Sequence, residues 1–193
     1  MKTPETELAL ETRAGLPEAL RVLLQDYPRE AWESDPHFSG LIRFWLDRHL
    51  MFRRLVATMR TEAEQALDRA MEERVFGAHL SRYGSMFIGE LHGHHSIEDA
   101  HYFPVMKTLD SRIERGFDIL DHDHQAIDRH LGEFTDVANR ALRSIAESKP
   151  AADEIAAFRK GLVRVEGFFD RHLVDEEELV VPVLLKYAPA GLV

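Results

Sequence analysis

The sequence predicts an all-α protein: an up-down-up-down four-helix bundle preceded by an N-terminal accessory helix. Three observations carry this. Apolar residues recur at helical spacing from Pro36 onward, and no stretch alternates for long enough to be a strand. The periodicity falls into four long stripes separated by turns. Each stripe holds a histidine where an apolar residue belongs, and the histidine spacing suits antiparallel neighbours.

The N-terminal stretch Gly15 to Tyr27 has a short amphipathic pattern (Leu16, Leu20, Leu23, Leu24, Tyr27). Pro17 suits a first helical turn and Pro28 closes the segment, so an accessory helix is expected here. Tyr27 to Pro36, containing Trp32, reads as a linker. Residues 1–36 are therefore expected to be accessory and residues 37–193 the bundle. The first long helix should begin near His37 and bury Phe38, Ile42, Trp45, His49, Phe52, Val56 and Met59. The second should bury Leu80, Phe87, Leu91, His94, Glu98 and Val105. The third carries Leu120, His124, Ile127, Leu131, Phe134, Ala138 and Ile145. The fourth carries Phe158, Leu162, Val165, Phe169, His172, Glu176, Leu179 and Val183.

Residues at equal depth in an antiparallel pair lie equally far from the turn that joins them. Midway between His94 and His124 is residue 109, in the plausible turn Leu109-Asp110-Ser111. Midway between His124 and His172 is residue 148, in Ser148-Lys149-Pro150. For His49 and His94 the midpoint is 71 or 72, where Met71-Glu72-Glu73 offers no breaker and Gly77 is the nearest.

A phrase repeats inside this layer. His94 with Glu98 and Pro104, and His172 with Glu176 and Pro182, both read H-x3-E-x5-P, each proline being expected to stop its helix. Four residues turn a helix by about 400°, which stacks imidazole and carboxylate on one face. Burying unpaired carboxylates costs several kcal/mol each, whereas paired or metal-bound ones are tolerated. The chain has no cysteine, which excludes disulfides, thiolate ligands, iron–sulfur clusters and cysteine nucleophiles. A nitrogen and oxygen donor set larger than one tetrahedral zinc uses points to a dinuclear site with Glu98 and Glu176 as bridges.

The net charge of −10 and the lack of a basic cluster argue against a nucleic-acid partner. No apolar run approaches a membrane span and Met1 to Leu10 has no signal-peptide core, so a cytoplasmic protein is expected. No phosphate loop, nucleotide fingerprint or nucleophile–base pair is present, so any activity would belong to bound metals.

The ordered set His49, His94 with Glu98, His124, and His172 with Glu176, each pair running into Glu98-Asp-Ala-His-Tyr-Phe-Pro104 or Glu176-Glu-Glu-Leu-Val-Val-Pro182, resembles the hemerythrin-like family of HHE cation-binding domains. The resemblance spans roughly residues 38–186. It implies an oxo- or hydroxo-bridged di-iron centre of two iron ions, ahead of manganese or zinc, on those six residues. It also implies a small-molecule ligand such as oxygen, peroxide or nitric oxide. The family's oxygen carriers present two histidines four apart on the third helix, whereas here the residue four after His124 is Asp128. Asp128 is thus a candidate seventh ligand, a partner to a ligand, or an exposed helix residue, and as a ligand its carboxylate favours redox turnover, sensing or storage over reversible oxygen carriage. A binding or sensing protein is the leading expectation. A di-iron oxidase or peroxidase, or a metal-free helical interaction domain, is the alternative.

Several residues compete for these roles. His95 and Asp99 share the i, i+4 spacing of His94 and Glu98, and the two registers are told apart by distance to proline. His122 rivals His124 but lies off the stripe, and His101 is a candidate for lining the pocket. His37, His79, His92 and His130 are expected at the surface, with Asp175 to Glu178 partly a solvated face. Trp45, Phe52, Phe87 and Phe169 are expected in the core.

Overall fold

A computed structural model describes residues 8–189 and 192. Five α-helices account for most of them: α1 Gly40–Leu67, α2 Glu73–Ile97, α3 Phe103–Lys107, α4 Glu114–Ala146 and α5 Ala152–Tyr187. Among the described residues there is no strand, and no helix is long and apolar enough to cross a membrane. A single π-helical turn, Glu98–Tyr102, joins α2 to α3 without a break in the helical path.

The three turns fall where equal histidine depth demands. Residues 68–72 separate α1 from α2, so Gly77 is not the breaker and lies inside α2. Arg69 takes a left-handed conformation, φ 60°. The Ala70 N–H reaches back to the Gln65 carbonyl at 2.8 Å and the Arg69 N–H to that of Ala66 at 3.2 Å. This is the Schellman pattern, usually marked by glycine, and its occupation by arginine is why the sequence shows no breaker there. Ser148 (φ 54°) closes α4 the same way, with Lys149 bonded to Ser144 and Ser148 to Ile145. In the third turn Asp110 accepts from the Arg112 backbone N–H at 3.1 Å and from the Tyr187 hydroxyl at 2.9 Å.

Two expectations are corrected. The prolines do not stop their helices. Pro182 sits inside α5, and Pro104 lies directly after the π-turn, through which the helical path continues into α3. The accessory segment is helical only in short 3-10 turns, Glu18–Leu20, Val22–Gln25 and Arg29–Ser34, rather than one α-helix. Its leucines face a surface that the turns can follow, and Leu16, Leu23 and Trp32 are buried in consequence.

The chain divides into two contact units. The first comprises Met1–Leu50, His94–Ala126 and Asp170–Val193. Its core gathers Leu16, Leu23, Trp32, Ile42, Trp45, Phe103, Met106, Phe117 and the Leu179–Leu185 face of α5. The second comprises Met51–Gly93 and Ile127–Phe169. Here an aromatic lattice fills the interior, with Phe52, Phe87 and Phe169 meeting edge to face and Phe134 bridging Phe87 and Phe158. Each unit takes one segment from each of the four long helices.

The π-turn corrects the predicted face of α2. Val105, expected inside, is 39% exposed, and His101 is also exposed. One extra residue per turn shifts every later position by one, so Phe103 and Met106 are buried instead.

Candidate metal centre

The first unit draws the repeated phrases together. Two groups of donor atoms form, each within 4.8 Å: His49, His94, Glu98 and Glu176, and beside it His95, His124 and His172. α1 supplies His49, α2 both His94 and His95, the π-turn Glu98, α4 His124, and α5 His172 with Glu176.

The glutamates span the two groups. Glu98 Oε1 lies 2.9 Å from His94 Nε2, and its Oε2 lies 3.6 Å from His124 Nε2. Glu176 Oε1 lies 3.4 Å from His49 Nε2, and its Oε2 lies 3.4 Å from His172 Nε2. The Nε2 atoms of His49 and His94 face each other at 3.1 Å. His95 stacks flat on His124, ring centroids 3.9 Å apart, and Phe103 covers the centre's edge with a ring 5.6 Å from His124.

The outward nitrogens have partners. His49 Nδ1 lies 3.0 Å from Glu177, His124 Nδ1 2.8 Å from Asp99, and His172 Nδ1 3.3 Å from Asp123. Such carboxylates set the tautomer, leaving the Nε2 lone pair to point inward. The Trp45 indole N–H donates to Glu176 Oε1. Seven buried side-chain atoms here make no hydrogen bond: both nitrogens of His95, both oxygens of Glu98, Nε2 of His124 and of His172, and Oε2 of Glu176. Each such buried atom costs about 1–3 kcal/mol, and seven in one place call for cations. An all-nitrogen-and-oxygen set fits a first-row divalent metal, so the residues present suit the group.

The electrostatics of these side chains agree. Burial lowers His49, but Glu176 and Glu177 outweigh it and raise the imidazole to about 9. Burial pushes His94 down to about 3 and, with the neighbouring imidazoles, holds His95 well below its usual range. Burial and the adjacent Glu176 raise Glu98, whereas Glu176 is held down against its own burial by His49 and other imidazoles. The two glutamates are thus pushed in opposite directions, as expected for carboxylates that share one site.

Six of the seven predicted ligands, His49, His94, Glu98, His124, His172 and Glu176, stand in the two groups. Asp128 does not: it is exposed on α4 in the second unit, and a carboxylate there is simply solvated. His122 is exposed as well. The sequence offered His95 only as a rival register to His94, because consecutive helical residues diverge by about 100° and a single stripe admits only one of them. The doubled His94-His95 followed by Glu98-Asp99 was the available signal.

The acidic run is also corrected. Asp175 and Glu177 are buried, and the four acids point in four directions. Asp175 meets Arg13, Glu176 the histidines, Glu177 both His49 and Arg29, and Glu178 meets Arg21. The N-terminal turns cover what the sequence suggested was solvated.

Residues 40–184 match the family model described as the hemerythrin HHE cation binding domain. The chain belongs to that family of cation-binding helical domains. No curated protein and no solved structure matches the chain.

Proposed function

We propose that the protein is a di-iron binding protein that senses or binds oxygen, or a related small molecule such as peroxide or nitric oxide. The observation that carries this reading is the placement of Glu98 and Glu176, each with one oxygen beside each histidine group. One iron would be held by His49 and His94 and the other by His95, His124 and His172, with Glu98 and Glu176 available to both. Two iron ions there would supply reversible electron transfer and open coordination positions for a small ligand.

The protein's own residues make the two positions unequal. Two imidazoles serve the first and three the second. The side with His49 and His94 therefore offers fewer imidazoles, and a small ligand would be taken up there. Trp45 flanks that side, its ring 5.8 Å from His94, and its indole N–H fixes Glu176 Oε1. Glu177, Asp99 and Asp123 hold three of the imidazoles in orientation. His95 completes five histidines, so the carboxylate-rich centre expected from Asp128 is replaced by a nitrogen-richer one that favours binding over turnover.

Protein purified without a histidine tag should carry about two equivalents of iron, both lost in the His94→Ala/His172→Ala double variant. Chelation should lower the melting temperature by roughly 5–10 °C, since a site held at one hundred times its Kd adds about 2.7 kcal/mol. A visible spectrum that changes reversibly on admitting air supports a binding role, and steady consumption of peroxide makes the protein an enzyme. Absence of metal, with melting unchanged by chelator, ends the reading.

A further inference from the structure

The family match begins at residue 40, yet two arginines from before that point reach the centre. Arg13 is buried. It donates from Nη1 to Asp123 Oδ1 at 2.7 Å, from Nη2 to the other Asp123 oxygen, and from Nε to Asp175 Oδ2 at 2.8 Å. Asp123 in turn faces His172 Nδ1. Arg29 donates from Nη1 to Glu177 Oε2 at 2.7 Å, and Glu177 Oε1 faces His49 Nδ1 at 3.0 Å. The two chains, arginine to carboxylate to imidazole, end on opposite histidine groups.

The segment is fastened between these points. The Leu16 N–H donates to Asp175 Oδ1 at 3.0 Å, and Arg171 donates to the Ala14 carbonyl at 2.7 Å while pairing with Asp175 at 3.0 Å. Leu16, Leu23 and Trp32 are buried in the core of the same unit. A carboxylate that accepts from an imidazole Nδ1–H orients the ring and strengthens it as a ligand, provided the carboxylate is itself held. A guanidinium on its far side draws off some charge, which weakens that pull. For Asp123 and Glu177 the holding effect wins, because both are buried and without the guanidinium each would be drawn toward water and away from Nδ1.

We propose that residues 8–34 form a strap whose Arg13 and Arg29 are positioning residues, acting through Asp123 on His172 and through Glu177 on His49, so that this segment sets how firmly each cation is held. This rests on the reading of the centre given above.

The test uses the full chain loaded with cobalt(II), whose visible spectrum reports its ligands, and in parallel with iron(II). Arg29 is 44% exposed in its side chain, so Arg29→Met should fold with near wild-type melting. It should still take up both ions but release one of them to a chelator about 10-fold faster, with an altered cobalt band. Arg13→Met should do the same to the other ion, and Arg13→Lys, which keeps the charge on Asp123, should partly restore it. Adding Arg29→Met to Glu177→Gln should change nothing further. Wild-type release rates and spectra in Arg29→Met and Arg13→Met overturn the proposal. So does a loss of melting temperature in the metal-free variants with release unchanged. A wild-type protein that takes up neither cobalt nor iron overturns the reading of the centre itself, and is seen before any variant is compared.

Discussion

A helical side chain reaches a given point only when its phase and its depth both match. His95 and Asp128 show the two ways this resolves. His95 lies one residue from the predicted ligand and enters because the centre has two adjacent groups, which α2 addresses with neighbouring positions. Asp128 has the spacing that would suit a ligand but the phase of a solvated face. His95→Ala should therefore cost about one bound cation per chain, while Asp128→Ala should leave the metal content as it was. Elemental analysis of the two variants side by side decides this, and metal loss in Asp128→Ala would contradict the arrangement.

At the scale of elements, the centre depends on where helices turn and where they change pitch. The π-turn Glu98–Tyr102 immediately follows the two α2 histidines, and π-bulges of this kind recur at functional sites. It turns Phe103 onto His124 and removes His101 from the interior. The Schellman turns at Arg69 and Ser148 set the depth at which the helices meet, with non-glycine residues in a left-handed conformation. That conformation costs an L-residue about 1–2 kcal/mol, so Arg69→Gly and Ser148→Gly should each stabilise the protein by roughly 0.5–1 kcal/mol after the extra chain entropy is offset. Denaturant midpoints measure it. A lower midpoint in either variant would mean that the side chain contributes more than its backbone strain costs.

At the scale of the whole molecule, stability against pH follows from how the charged turns are fastened. Asp110 is held below its ordinary value of 3.8 first by the side-chain hydrogen bonds from Arg112, which with the Arg112 backbone N–H, the Tyr187 hydroxyl and the Arg112 charge outweigh the opposing effect of burial. A depressed carboxyl contributes stability that is complete above the unfolded value and is lost as pH falls below it. Asp110→Asn should thus lower stability by about 1 kcal/mol at pH 7 and by clearly less near pH 2, closer to the depressed folded value, read from denaturant midpoints at both pH values. An equal effect at both would show that the turn depends on shape rather than charge.

The helical class, the four stripes and six residues of the two donor groups could be read from the chain because each depends on local periodicity and on equal distances from a turn. Those quantities are properties of sequence spacing alone. The second α2 histidine, the rotation past the π-turn, and the burial of Asp175 and Glu177 beneath Arg13 and Arg29 were decided by tertiary structure. Each depends on which distant backbone comes to cover a given helix face. Spacing along a helix says where a side chain points, and only packing says what it meets there.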